Sequence, residues 1–189
     1  MKARLILVGL VVAFTSCQQK ANAPQAIAVA AANTVVADHQ AAKEGHGKIT
    51  LKAGSKTWTV DGKCGSVTNT GALIVAVQDK DIAAKVFTVS FNTLNYPQAG
   101  KAYTIKKSDY MSEGKKPETD IYVAFSQITE KEQADWSSDD ASGTLQFTTN
   151  GNEIKCKFSG IKLEPSAVYN KGENNSVGIA SGEMTFYKN

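Results

Sequence analysis

From Lys48 onward the sequence is built of short runs in which apolar and polar residues alternate, separated by turn residues. Alternation with period two is typical of half-buried β-strands. The best example runs from Gly143 to Phe158, where two alternating runs flank Asn150-Gly151, a dipeptide that favours a tight hairpin turn. About ten such runs predict an all-β fold, an antiparallel β-sandwich, with a closed lipocalin-like barrel as the alternative.

The alternation also predicts which side chains face the core. The expected core positions are Phe87, Val89, Phe91, Ile121, Val123, Phe125, Leu145, Phe147, Ile154, Cys156, Phe158, Met184 and Phe186. Two further segments carry local signals. Asp61-Gly62 predicts a hairpin turn, and Thr129-Glu130-Lys131-Glu132 resembles a capping box that would begin one helical turn ending near Trp136.

The first residues have the proportions of a secretory signal. Lys2 and Arg4 precede an apolar run, residues 5–14, that is too short to span a bilayer. The following box, Phe14-Thr15-Ser16-Cys17, resembles the end of a bacterial lipoprotein signal peptide. That resemblance implies cleavage after residue 16 and acylation of Cys17, with palmitate as a typical acyl group. The alternative is an ordinary secretory signal with an incidental cysteine.

The residues after Cys17 bear on location and on domain boundaries. Gln18 and Gln19 are not acidic, so the resemblance implies a lipid-anchored protein of the outer membrane that faces the periplasm. Residues 17–47 are rich in Ala and contain no aromatic residue, which predicts a disordered tether. His39 and His46 fall in this tether and are expected to be solvated. Residues 48–189 form the predicted domain.

The net charge of the mature chain bears on its possible binding partners. Removing Lys2 and Arg4 with the signal leaves 19 basic residues against 18 acidic ones, so the mature chain is near neutral and nucleic acid is not an expected partner.

Cys64 and Cys156 are the cysteines left after Cys17. In an exported protein they are candidates for a disulfide, and two buried free thiols are the alternative.

Four segments of the domain carry a further resemblance. They are Trp58, Gly100-Lys101-Ala102-Tyr103, residues 143–148 and residues 154–160. Their pattern resembles the small β-sandwich lipoproteins of unknown function that certain bacteria carry in many copies. The resemblance implies a fold and implies no activity.

The residues give little indication of chemistry. The predicted domain contains no histidine, so no Ser-His-Asp arrangement is available within it, and no cofactor is expected. Trp136 lies beside Asp135, Asp139 and Asp140. These three carboxylates are the best candidates for calcium, although no EF-hand spacing is present, so no metal site is predicted.

Trp136 has two interpretations. It could present a flat ring to a sugar or a protein partner, in a loop surface widened by Tyr96, Tyr110 and Tyr169, or it could plug the end of the sandwich. We therefore expect a lipid-anchored, non-catalytic envelope module that binds a glycan or an envelope protein. Three alternatives remain: a carrier of an apolar ligand with a cavity lined by Phe87, Phe91, Phe125 and Phe147, a hydrolase using two carboxylates, and an inhibitor or immunity-type protein.

Replacing Cys17 tests the anchor directly. In bacterial cells grown with labelled palmitate, we expect Cys17→Ala to abolish incorporation and to release the protein from the membrane fraction. The physical reason is that each buried CH₂ contributes about 0.8 kcal/mol to anchoring, so the acyl chains dominate membrane affinity. Label that persists in the variant, or membrane association that is unchanged, would contradict the acylation.

Overall fold

A computed structural model describes residues 44–82, 84–107, 116–129 and 132–188. The predicted signal, Cys17 and almost all of the tether, including His39, lie outside these residues. The strands are β1 (Gly45–Ala53), β2 (Lys56–Asn69), β3 (Ala72–Asp79), β4 (Lys85–Phe91), β5 (Thr104–Ile105), β6 (Asp120–Ile128), β7 (Gln133–Ser138), β8 (Thr144–Asn150), β9 (Glu153–Pro165) and β10 (Gly178–Tyr187). A short 3₁₀ turn spans Gly172–Asn174.

The strands form one sheet that closes on itself. Eight strands follow one another in the order β1-β2-β3-β4-β6-β7-β9-β10, and β10 pairs with β1 on one edge and β9 on the other. Every neighbouring pair in this ring is antiparallel. The all-β prediction is confirmed, and the predicted sandwich is wrong. The closed barrel agrees with the lipocalin-like alternative.

Alternation cannot separate these two architectures, because both place every second side chain in a common core. What distinguishes them here is the pairing of β10 with both β1 and β9, and glycine inside a strand was a further source of error. β2 does not turn at Asp61-Gly62, as the sequence predicted, but continues for 14 residues to Asn69. A Cβ at Gly62 would overlap the backbone carbonyl of Gln78 on β3. Gly62 therefore permits a close approach of two barrel strands.

The predicted helical turn is also wrong. Residues 130 and 131 of the predicted capping box lie outside the described residues. Thr129 N–H donates to the Glu132 carbonyl at 2.8 Å, and residues 133–138, where the helical turn was expected, form β7. The barrel begins slightly earlier than predicted, since β1 starts at Gly45. His46 is thus part of a strand and lies 2.9 Å from Asp61.

Aromatic side chains fill the space between the barrel walls. The rings of Phe87 on β4 and Phe158 on β9 stack at 4.9 Å with an interplanar angle of 2°. Trp136 lies 4.9 Å from Trp58 and 5.8 Å from Phe125. All predicted core positions are buried except Leu145, which is partly buried, so the core prediction is largely confirmed.

Both ends of the barrel are covered by loops. At one end Tyr96 packs against the core, and its hydroxyl lies 3.3 Å from that of Ser66. At the other end the indole N–H of Trp136 donates to the Ser176 carbonyl at 2.9 Å. In the part of the chain that the structure describes, none of the helices has the length and apolar character needed to cross a membrane.

Cys64 and Cys156 are both buried inside the barrel as free thiols, which matches the second of the two sequence-based alternatives. Burial raises the pKa of both thiols well above the ordinary cysteine value, and at Cys64 the nearby Cys156 adds to this effect. The reactive species is the thiolate, so both groups are poor nucleophiles in the folded state.

A thiol-labelling experiment on the full chain carrying Cys17→Ala checks whether Cys64 and Cys156 are buried free thiols. In the native state at pH 8 we expect neither Cys64 nor Cys156 to react with a thiol reagent, because both are buried and protonated. In denaturant both are expected to react. Absence of reaction in denaturant, with an intact mass lower by two hydrogens, would show a disulfide instead.

Candidate functional site

The barrel wall is interrupted beside β9. One edge of β9 pairs with β10 from Glu153 to Leu163. The other edge is shared: β8 pairs with residues 153–159 and β7 pairs with residues 163–165. β7 and β8 are thus two pieces of one side of the wall, separated by residues 139–143.

The interruption is fixed by backbone conformation and by Lys162. Ala141 and Gly143 have φ of 52° and 73°, in the left-handed region. A Cβ on Gly143 would lie 2.6 Å from the backbone nitrogen of Ile161, so glycine permits the close contact there. Lys162 N–H donates to the Ser142 hydroxyl at 2.9 Å, and its ammonium lies 2.9 Å from Asp139.

Asp139 is the charged centre of this junction. Its second oxygen lies 3.2 Å from the ammonium of Lys107. Hydrogen bonds from Lys162, from the Asp140 backbone and from Lys107 lower the pKa of Asp139 to about 2. The carboxylate therefore stays ionised over the physiological pH range and holds β9 and the end of β5 together at this point.

A buried serine marks where the wall splits. The Ser138 hydroxyl accepts the Val123 N–H of β6 at 3.1 Å and donates to the Lys106 carbonyl at 2.6 Å. Beyond it, β6 pairs with the short parallel strand β5 in place of β7. The Ala141 N–H donates to the Ile105 carbonyl at 2.9 Å and closes the narrow end.

A lateral cleft opens between residues 100–105 and residues 141–148. It is lined by Gly100, Lys101, Ala102, Tyr103, Thr104, Ile105, Ala141, Ser142, Gly143, Thr144, Leu145, Gln146, Phe147 and Thr148 and has a volume of about 690 Å³. We call it the lateral cleft.

The base of the lateral cleft is aromatic. Tyr103 lies edge-on to Phe147 at 5.2 Å and to Phe91 at 5.7 Å, and these rings join the cleft to the barrel core. Burial raises the pKa of Tyr103, so the phenol remains neutral, and its oxygen accepts the Gln98 N–H at 3.0 Å. Partly buried Leu145 adds an aliphatic surface.

Lys101 is the one charged residue among those that line the lateral cleft. Its ammonium lies 6.0 Å from the centre of the Tyr103 ring, within range of a cation–π contact. The described lining includes no aspartate, glutamate or histidine. The arrangement can therefore hold a ligand by apolar contact and hydrogen bonds, but its lining supplies no acid–base pair.

The aromatic surface predicted around Trp136 is not assembled. Trp136 is fully buried in β7, as the plug interpretation required, because its ring packs on Trp58. Tyr96 lies beside Ser66. Ser66 is eight residues after Trp58 on β2, so Tyr96 is roughly 26 Å from the Trp58–Trp136 contact. Tyr169 is partly exposed, and Tyr110 lies outside the described residues.

The predicted calcium candidates do not converge on one point: Asp140 N–H donates to Asp139, and Asp135 lies apart from both. Asp135 is buried on β7, where its N–H donates to the Asn170 side chain at 2.8 Å and burial raises the pKa of its carboxyl. Asp139 is paired with lysines, and Asp140 is exposed. Within the described ranges no three His, Cys, Asp or Glu side chains are grouped so as to hold a metal ion.

Sequence reasoning missed the lateral cleft although it singled out both of its walls. Gly100-Lys101-Ala102-Tyr103 and residues 143–148 were interpreted as ordinary strands of the resemblance. The signals that were available are Gly143 directly before an alternating run and the weak run ending at Ile105. Neither reveals that β7 and β8 share one edge of β9, because that depends on pairing between distant residues.

The fold and the cleft define this chain as a closed eight-stranded antiparallel barrel with a lateral opening in its wall. Comparison with protein-family models, curated proteins and solved structures found no match.

Ser138→Ala should destabilise the narrow end of the lateral cleft. The substitution leaves the buried Val123 N–H without its acceptor, and we expect a loss of about 1–3 kcal/mol in the free energy of unfolding. Ser137→Ala on the same strand, at a partly exposed position, should cost less than about 0.5 kcal/mol. Urea unfolding of both variants checks this, and equal losses would contradict the role given to Ser138.

Proposed function

We propose that this chain is a lipid-anchored, non-catalytic binding module of the bacterial cell envelope, and that the lateral cleft is its binding site. The anchor rests on the N-terminal box ending at Cys17 and implies attachment to the outer membrane on its periplasmic side. The binding role rests on one observation, the interruption of the barrel wall that leaves an aromatic-based cleft open to solvent.

The properties of the cleft support binding rather than catalysis. Its volume of about 690 Å³ falls within the range of roughly 300–1,000 Å³ typical of ligand sites, and aromatic surface with a few polar groups is their common lining. The lining combines the Tyr103 and Phe147 rings with the single charge of Lys101. The absence of a carboxylate in the described lining argues against the two-carboxylate hydrolase at this site.

Carriage of an apolar ligand inside the barrel is the nearest alternative. Phe87, Phe91, Phe125 and Phe147 are the residues expected to line such a cavity. All four are buried and in ring contact with other aromatic side chains, such as the Phe87–Phe158 stack. Because these side chains fill space with one another, we favour the lateral cleft over the barrel interior.

An inhibitor or immunity-type role would need a large exposed apolar patch. The exposed large apolar residues among those described are Leu94, Val168, Val177 and Ile179. None of them lines the lateral cleft. This role therefore has less support than ligand binding in the cleft.

A charge placed in the cleft tests the proposal. Full-length chain with Cys17→Ala is used to capture ligands from envelope extract, and the affinity of the captured ligand is then measured for Leu145→Glu and Thr149→Glu. Leu145 lines the cleft, whereas Thr149 lies on the same strand outside it. A buried unpaired carboxylate is costly, so we expect Leu145→Glu to weaken binding at least about tenfold.

The Thr149→Glu variant should bind the captured ligand with the same affinity as the parent, because it adds the same charge to the same strand without entering the cleft. Equal affinity of both variants would contradict the lateral cleft as the binding site. Turnover of the captured ligand by the parent protein would contradict the non-catalytic role.

A further inference from the structure

One wall of the lateral cleft is the edge of β8, and the other is formed by residues 100–105, of which Thr104 and Ile105 form β5. Among the described strands, β8 forms a ladder with β9 alone, so its second edge faces the cleft. On the opposite wall β5 pairs with β6. The N–H groups of Thr104 and Lys106 donate to the carbonyls of Thr119 and Ile121, on the β6 side.

Backbone groups alternate in direction along a strand, so the odd-numbered residues of this wall point the other way. The Ile105 carbonyl does so and accepts the Ala141 N–H. A strand laid along this wall would extend the same alternation to Tyr103, which directly precedes β5. The edge of β8 therefore offers backbone hydrogen-bonding groups to the lateral cleft, and the aromatic base lies between β8 and residues 100–105.

The edge of β8 lacks the features that proteins use to block strand addition. Exposed edges are usually protected by lysine, proline, a bulge or very short length. The β8 sequence, Thr-Leu-Gln-Phe-Thr-Thr-Asn, has no charged residue and no proline, and it runs for seven residues. Its threonine, leucine and phenylalanine side chains suit a pleated strand.

We propose that the lateral cleft takes an extended peptide segment of a partner protein, which inserts as a strand between β8 and residues 100–105 and completes the barrel wall. This inference rests on the proposed function and names its ligand class. β5 is parallel to β6, and β8 continues the direction of β7, so the two walls run antiparallel to each other. The inserted strand is parallel to one wall and antiparallel to the other.

Charge and side-chain alternation define the peptide further. Every second side chain points inward, toward Tyr103, Leu145 and Phe147, and must be apolar. Lys101 lines the cleft and lies four residues before Ile105, which contacts Ala141, so its charge favours an acidic residue at the end of the segment. The expected partner segment is thus an alternating apolar and polar strand with an acidic terminus.

Designed peptides test this inference with the full chain carrying Cys17→Ala. The probe is fluorescein-labelled Glu-Val-Thr-Val-Thr-Val-Glu with blocked ends, and the control is the same peptide with Lys in place of both Glu residues. Fluorescence anisotropy should show saturable binding of the acidic probe, at least about threefold tighter than the basic control. The difference should shrink at high salt, since it arises from the charge of Lys101.

Backbone methylation identifies insertion between two edges. Two further acidic probes carry N-methyl groups on alternate residues, one in each register. A strand bonded on both sides uses both sets of N–H groups, so each methylated probe should bind at least about tenfold more weakly. Loss in one register alone would show pairing with a single edge and would overturn the proposal.

The variants Leu145→Glu and Thr149→Glu test where on the barrel the acidic probe binds. The acidic probe should lose binding to the first variant and keep binding to the second. Absence of saturable binding, or insensitivity to both methylation registers, would overturn strand insertion. If the ligand captured from envelope extract still depends on Leu145, the proposed function survives that failure, and the ligand is then of another class.

Self-association is the remaining outcome. Two copies could pair through their β8 edges, and sedimentation of the chain without peptide would then show a dimer that Leu145→Glu or added acidic probe dissociates. That result would overturn the partner proposal, because a second copy would be the occupant of the edge. A monomer across the concentrations of the binding experiment supports it.

Discussion

The pairing of β10 with both β1 and β9 is the contact on which the rest of the structure depends. It removes the free edges that an open sheet would expose at those strands, and it forces all inward side chains into one enclosed core. Closure of eight strands leaves an interior just wide enough for side chains. The stacked rings of Phe87 and Phe158 occupy that interior, which explains why the alternating apolar positions are so rich in phenylalanine.

Closure is incomplete at one place, and that place is the lateral cleft. β9 is long enough to take two partners on one edge, and residues 139–143 are displaced from the ladder, because these five residues lie opposite only three residues of β9, 160–162. Lys162, Asp139 and the Ser138 hydroxyl hold the displacement in place with specific contacts. Hydrogen-bonding groups left on strand edges are costly unless water or a ligand satisfies them. In the proposed function, a bound ligand would take the place of water at this gap.

The sequence predicted the elements well and their assembly poorly. Alternation identified the strands around Phe87, Phe125 and Phe158 and their buried faces, because period two depends only on neighbouring residues. Alternation could not separate a sandwich from a barrel. The Asp61-Gly62 dipeptide predicted a turn that is not there, because a close strand approach and a hairpin both select glycine. For Trp136 the sequence left two interpretations open, a binding platform in a loop and a plug at the end of the fold. The burial of Trp136 depends on Trp58, which is distant in sequence.

Hydrogen–deuterium exchange of the full chain, with and without its envelope ligand, tests the central claim that the break in the barrel wall is the working surface. The account predicts slowed exchange in residues 100–105 and 141–148, including the Tyr103 amide, and little change elsewhere. Slowed exchange at the opposite end of the barrel, around Trp58 and Ser176, with no change in those two segments, would contradict it.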